Sequence, residues 1–360
     1  GGLKAVAWTD VVQVVFLIGG GLLTTYLALS EVGEGQGVVA GFSNLLDRAP
    51  EKFVMIFDSS HPAYSYLPGI SVLIGGMWIA NLSYWGFNQY IIQRALAAKS
   101  LSEAQRGLAF AAFLKVLMPL IVVVPGIVAF VLQADISKSD EAYPWLLNNF
   151  VFTGAKGLAF AALIAAVVSS LSSMTNSTST IFTIDIFRSF IRPEATERSL
   201  VFVGRIVSAV ALTIAVLVAP QLAALDQAFQ FIQEFTGFIS PGIVAIFALG
   251  LFWRKATANG ALWAAILSIP LSFLFKFLSE GNEAMGIAPV MNLPFLDRMG
   301  LVFLILCAVM IIISLIENRG QDNPKSIRVE KGLFYTDPVF NMAALAVSAI
   351  VAVLYILFWN

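Results

Sequence analysis

Apolar residues in this chain gather into nine runs, at about 3–29, 67–93, 105–132, 156–185, 199–222, 227–253, 258–278, 299–316 and 340–359. A helix needs roughly 20 apolar residues to cross a hydrocarbon core about 30 Å thick. Each run is long enough, so the pattern predicts an all-α integral membrane protein with nine spanning helices. No basic stretch or cleavage motif precedes the first run, which therefore reads as a span and not as a signal peptide. The first span begins almost at residue 1, and the chain reads as a fragment of a longer protein.

Lys and Arg positions check the count. The connections after the second, fourth, sixth and eighth spans hold 12 of the 21 basic residues: Arg94, Lys99, Arg106, Arg188, Arg192, Arg198, Arg254, Lys255, Arg319, Lys325, Arg328 and Lys331. The alternate connections hold Arg48, Lys52, Lys138, Lys156, Lys276 and Arg298. Cytoplasmic loops carry the basic excess, so every second loop is cytoplasmic and the first span starts inside. The alternation favours nine spans over eight or ten. Two connections are long. In 30–66, the stretch Asn44 to Phe57 mixes apolar and charged residues and reads either as a short interfacial helix over an extracellular entrance or as a surface loop. The connection 317–339 is polar, with Asn-Pro and Asp-Pro turns, and reads as a cytoplasmic loop.

Composition agrees. Of 360 residues, 59% are hydrophobic and 12% charged, against about 25% charged in a soluble domain. A soluble enzyme, a disordered chain and a disulfide scaffold are excluded together. The net charge of −1 lacks the basic footprint of a nucleic-acid binder. One cysteine, Cys307, and one histidine, His61, leave little catalytic or transition-metal equipment.

Polar groups at membrane depth carry the functional signal, because they are costly there. In the second span, Gly75-Gly76 suits close helix packing, while Asn81 and Tyr84 lie one turn apart on one face and read as a binding site. The span is expected to break between Gly75 and Tyr84, since irregular backbone is tolerated where it meets a cavity. Lys115 in the third span lies roughly 14 Å from the cytoplasmic end, near the limit of snorkelling, and is expected to face the bundle interior. Pro119 and Pro125-Gly126 should bend that span. The fourth span carries a hydroxyl-rich stripe from Ser169 to Thr180. Ala166, Ser169 and Ser170 share one face, where two hydroxyls and a carbonyl freed by local distortion make part of an oxygen cage for sodium. In the sixth span, Gln233 sits roughly 10 Å below the outer surface with Phe229 one turn above, before the breaker Ser240-Pro241-Gly242. Asp10 in the first span reads as a cation relay or as the partner of a Lys in an absent segment.

These groups describe a neutral polar cavity beside a cation site. Amides and an ammonium suit a polyhydroxy solute, and aromatic faces suit the C–H side of a sugar ring. A solute site beside an ion site on interrupted helices is how secondary transporters are built.

The run Ala80-Asn81-Leu82-Ser83-Tyr84-Trp85-Gly86-Phe87-Asn88-Gln89-Tyr90-Ile91-Ile92-Gln93-Arg94 with Ala97-Ala98-Lys99-Ser100 closely resembles the solute:sodium symporter family, in its sodium/galactose and sodium/glucose branch. Trp8-Thr9-Asp10, Phe113-Leu114-Lys115, Val168-Ser169-Ser170-Leu171, Asn176-Ser177-Thr178, Gln230-Phe231-Ile232-Gln233-Glu234 and Gly250-Leu251-Phe252-Trp253-Arg254-Lys255 extend the resemblance in order along the chain. It implies a leucine-transporter-like five-plus-five inverted repeat. Residues 1–29 would be the last helix of the first repeat, 30–66 an extracellular loop, 67–253 the second repeat and 254–360 three peripheral helices. The first four core helices would then belong to a missing N-terminal part of the same protein.

The resemblance also implies roles. Asn81, Lys115 and Gln233 match sugar-binding positions, and Tyr84 the aromatic that stacks on the sugar and closes the inner side. Phe229 matches part of the outer gate. Ala166, Ser169 and Ser170 match half of the sodium site, and Asp10 a carboxylate linked to sodium release. Ser83 departs from the pattern, where a second aromatic is expected. The implied activity is sodium-coupled sugar symport by a multi-pass protein of a cell membrane, of the bacterial inner-membrane type, with sugar, sodium and lipid as partners and no enzymatic role. Two alternatives stay open: symport of sialic acid, an amino acid or another organic anion paired with Lys115, and a transporter-like membrane sensor module.

Overall fold

The structure is a computed structural model that describes residues 3–61, 64, 69–222, 225, 228–281, 287–291 and 293–359. The expected starts of the second and sixth spans, at 67 and 227, fall outside the described residues. In chain order the α-helices are α1 (Leu3–Val32), α2 (Val38–Arg48), α3 (Ile70–Ile74), α4 (Gly76–Asn81), α5 (Gln89–Leu96), α6 (Leu101–Val116), α7 (Val124–Val131), α8 (Ala142–Phe150), α9 (Thr153–Thr180), α10 (Glu197–Leu222), α11 (Ala228–Gly237), α12 (Ser240–Phe252), α13 (Ala258–Glu280), α14 (Phe295–Glu317) and α15 (Pro338–Leu357). Wider π-helical turns occupy Leu82–Phe87, Pro119–Val123 and Ile181–Ile191.

The fold is helical throughout the described residues, as the hydrophobic runs require. Among the described residues, seven helices are long and apolar enough to cross a membrane, or eight if α11 and α12, bent by 41°, form one span. The second expected span, 67–93, is described as the segment 70–96 and does not reach this length in any single piece. It breaks at Gly75, loosens at Leu82 and turns extended at Asn88. Helix length alone therefore leaves the count at seven or eight.

The chain forms two compact units. The first comprises 1–53, 93–228 and 339–351. Here α1 runs along α9 and also meets α2, α7 and α8. Val32, Leu45, Val128 and Leu146, each at most 1% exposed, centre this core. Of the stretch 44–57, read either as an interfacial helix or as a surface loop, only 44–48 is α-helical, as the end of α2, which is folded onto the protein: Asn44 donates to the Val32 carbonyl at 3.0 Å and Arg48 to that of Val131 at 3.3 Å. Between α6 and α7 the prolines coincide with a widened π-helical stretch, Pro119–Val123. In the i→i+5 pattern of residues 119–123, the Leu120 carbonyl would meet Pro125, which has no N–H. The Thr25 hydroxyl from α1 donates to it instead, at 2.7 Å.

The second unit comprises 54–92, 229–338 and 352–360. Its core is the α12–α13–α14 triplet around Ala245, Ala264, Val302, Leu306 and Met310, none more than 1% exposed. Helix α4 lies against α14 so closely that a Cβ on Gly76 would stand 1.8 Å from the Leu296 carbonyl oxygen. The break between α11 and α12 leaves backbone groups without helical partners. Ser268 satisfies two of them, donating to the Phe238 carbonyl at 2.7 Å and accepting from the Gly242 N–H at 3.2 Å.

Candidate functional site

The first unit holds the candidate acidic group and the hydroxyl-rich face of α9. Asp10 is 9% exposed on α1. Ser169 of α9 donates its hydroxyl to Asp10 Oδ1. Arg94, near the end of α5, donates from Nε to Asp10 Oδ2 at 2.7 Å and stands 2.6 Å from it through Nη2. Asp10 is therefore paired within this chain, which corrects the expectation of a Lys partner in an absent segment. The Arg94 guanidinium also donates to the Ser173 hydroxyl. Ser173 in turn donates to the Ser169 carbonyl at 2.8 Å. Gln93 donates to the Ser173 carbonyl at 3.4 Å and accepts from Asn176 at 3.1 Å. The result is one polar network among apolar helices, linking α1, α5 and α9.

Ala166, Ser169 and Ser170 lie on one face of α9 as expected, but Ser170 is exposed while Ser169 is half-buried. The local distortion expected to free the Ala166 carbonyl is not there. Helix α9 is regular from Thr153 to Thr180, and widening begins only at Ile181. A carboxylate, hydroxyls and carbonyls are hard oxygen donors, the chemistry a sodium ion requires. Lys115 lies on α6 of this unit, with its side chain exposed.

The second unit holds the aromatic and amide groups. Asn81 closes α4, and its Nδ2 donates to the Met77 carbonyl at 2.9 Å. Tyr84 sits in the wide turn that follows. Its hydroxyl accepts from the Tyr90 hydroxyl at 2.7 Å, and its ring meets the edges of Trp85 and Tyr90 at 5.0 and 5.9 Å. Ser83, where a second aromatic is expected, is buried at 6% exposure. Phe229 and Gln233 occupy successive turns of α11, both exposed, with Phe229 at 72%. The structure thus joins Asp10 to Ser169, Asn81 to Tyr84 along one segment, and Phe229 to Gln233 along another.

With this geometry in view, the comparisons with known proteins are direct. The model of the sodium:solute symporter family matches residues 1–268. The chain belongs to this family. Its members are sodium-coupled transporters, so the chain is part of a multi-pass membrane transporter and not of an enzyme. The chain is 50% identical to the sodium/glucose cotransporter of Vibrio parahaemolyticus, an alignment covering 100% of this chain and 67% of that protein. It is 35% identical to the rabbit sodium/myo-inositol cotransporter 2 over 76% of this chain and 44% of that one. Among solved structures, a sodium-coupled sialic acid symporter in a substrate-bound, outward-open state matches with a TM-score of 0.68. That match covers 88% of this chain and 63% of the other at 23% identity, and it shows a shared symporter fold. The chain thus spans about two thirds of the Vibrio relative and under half of the rabbit one.

Sequence reasoning missed Arg94, Gln93 and Ser173. Arg94 was counted among cytoplasmic cations, and Ser173 was one of many hydroxyls. The usable signal was spacing: Ser169, Ser173 and Asn176 stand at i, i+4 and i+7, one continuous helix face.

Proposed function

We propose that this chain is the part of a sodium-coupled sugar symporter that contributes half of the sodium site and three polar contacts to the sugar. The observation that carries the sodium half is the buried Asp10 carboxylate bonded to the Ser169 hydroxyl. Ser169 and Ser170 offer hydroxyl oxygens to the ion as cargo, the Ala166 carbonyl, held in regular helix, adds only its second lone pair, and Asp10 receives the ion on the way to the cytoplasm. Asn81, Lys115 and Gln233 hydrogen-bond the sugar hydroxyls, Tyr84 stacks on the ring and closes the inner side, and Phe229 closes the outer side. A sugar is supported by the 50% identity to a sodium/glucose cotransporter along the whole chain. Residues 1–29 and 67–253 are read as parts of an inverted repeat completed by helices beyond this chain, with 254–360 peripheral and 30–66 an external loop. The host membrane is of the bacterial inner type.

Alternating access follows from charge and solvation. Sodium entering the oxygen site replaces its hydration with fixed oxygens, and its binding favours the state that also accepts the sugar. The inward sodium gradient then sets the direction of transport.

The test is uptake by an intact symporter containing this chain, reconstituted in liposomes. D-galactose and D-glucose should accumulate only with an inward sodium gradient, and Gln233→Ala should raise the half-saturating sugar concentration by roughly five- to a hundredfold, the effect of leaving a partner group unbonded. Accumulation of sialic acid without either sugar would instead favour the anion reading, with Lys115 as the carboxylate partner.

A further inference from the structure

The second unit contains a second charge network that the solute and sodium sites do not use. Glu234 on α11 lies next to Gln233. Its carboxylate is held at both oxygens: Oε1 by Arg298 of α14 at 2.9 Å and Oε2 by Lys276 of α13 at 2.9 Å. The same two cations meet Glu280 of α13, Arg298 at 2.8 Å and Lys276 at 3.4 Å. Two carboxylates and two cations close a neutral ring. The Arg298 side chain is 9% exposed and that of Glu234 19%.

Otherwise helix α11 is lightly held: its Ala228 N–H donates to Asp140 Oδ2 at 3.2 Å, and Lys276 stands 6.0 Å from the Phe235 ring. Of its ten residues only Gly237 is buried. Phe229, Ile232 and Phe235 are 72%, 47% and 43% exposed. Its C-terminal end meets the 41° bend into α12. An element with so few buried contacts moves easily unless something fixes it. A partly buried ion network of this kind adds little net stability over apolar packing, which leaves fixing geometry as its use here.

We propose that Arg298 and Lys276 are positioning residues: through Glu234 they hold α11 on α13 and α14, and so set where Gln233 and Phe229 stand. The proposal rests on the reading of Gln233 as a sugar contact. It makes α13 and α14, read above as peripheral helices, the anchor of the outer half-helix.

The test uses D-galactose uptake by the intact symporter at saturating sodium, normalised to protein in the membrane. Arg298→Gln should raise the half-saturating concentration about two- to thirtyfold with the maximal rate largely kept, as expected for a coupled residue that touches no ligand. Arg298→Lys should recover part of the loss. Hydrogen exchange on the purified protein should show faster exchange of the 228–237 amides in Arg298→Gln and in the milder Lys276→Gln, with α12 unchanged. Unchanged α11 exchange in both variants overturns the proposal. Gln233→Ala separates the two readings. If it impairs sugar affinity while Arg298→Gln and Lys276→Gln do not, the anchor fails and the sugar site stands. If Gln233→Ala has no effect while α11 exchange quickens in the other variants, the anchor stands and the sugar contact fails.

Discussion

Asp10 is a carboxylate placed among apolar helices with a guanidinium already on it. Removing one partner of a fully buried pair costs about 3–5 kcal/mol, and less here, because the Arg94 side chain is 34% exposed and water can reach the carboxylate it leaves. Arg94→Ala should therefore lower the melting temperature of the detergent-solubilised protein, and Arg94→Lys less so. If Asp10 also lies on the sodium path, added sodium should restore Arg94→Ala more than it stabilises the unsubstituted protein, because a carboxylate freed of Arg94 binds the cation more tightly and a tighter ligand of the folded state stabilises it more. Equal stabilisation of both by sodium over potassium would remove Asp10 from that path. Tyr84 gives a second test at this scale. Its hydroxyl is bonded to Tyr90 and not turned away from protein partners, yet stacking on a sugar needs only the ring. Tyr84→Phe should keep most uptake and Tyr84→Ala should lose it. Equal damage would give the function to the hydroxyl pair. The sequence pointed to Asp10, Ser169 and Tyr84 because each is a costly group at depth. It did not point to Arg94, since a cation at a span's end looks like any loop cation until the fold brings α1 and α9 to it.

At the scale of elements, the breaks are what the sequence foretold best. Gly75-Gly76, Pro119 with Pro125, and Ser240-Pro241-Gly242 each mark a departure from regular helix, because each removes a side chain or an N–H that a helix uses. Short packed helices were not foretold. Helix α8 has nine residues and is held by Leu146 at 0% exposure, so its stability comes from packing and leaves no long periodic signature. Helix α2 begins before the expected stretch for the same reason: Leu45 is buried against α1 and α7, not laid on a membrane surface. Gly76 has both a break beside it and a helix pressed on it. Gly76→Ala should destabilise by about 1–3 kcal/mol or more, since the new methyl would overlap the Leu296 carbonyl and force the two helices apart. Gly107→Ala is the control. Nothing lies within 4 Å of its added Cβ, and in α6 it should be neutral or mildly stabilising. Denaturation in detergent compares them, and equal stability of the two variants would contradict the packing described for α4.

At the scale of the whole molecule, the open question is whether the broken segment 70–96 crosses the membrane. Helix length supports seven spans, or eight with the bent α11–α12 pair, and the segment fails because its longest regular pieces are too short. The basic residues argue the other way. Between the connection after the first span and that before the last lie seven hydrophobic runs if the segment crosses and six if it does not. An odd number places those connections on opposite faces, and an even number on the same face. The connection 317–339 holds Arg319, Lys325, Arg328 and Lys331, whereas 30–66 holds only Arg48 and Lys52. That asymmetry is the one expected of opposite faces, with the richer loop inside. Backbone breaks do not forbid crossing, because the freed groups can face a cavity instead of lipid. Single cysteines in a Cys307→Ala background decide it. Gln36→Cys and Gln321→Cys both replace exposed residues. In intact cells a membrane-impermeant thiol reagent should label Gln36→Cys at once and Gln321→Cys only after the membrane is opened. Labelling of both from outside would mean that the segment folds back without crossing, and that Asn81 and Tyr84 enter the site from a re-entrant loop.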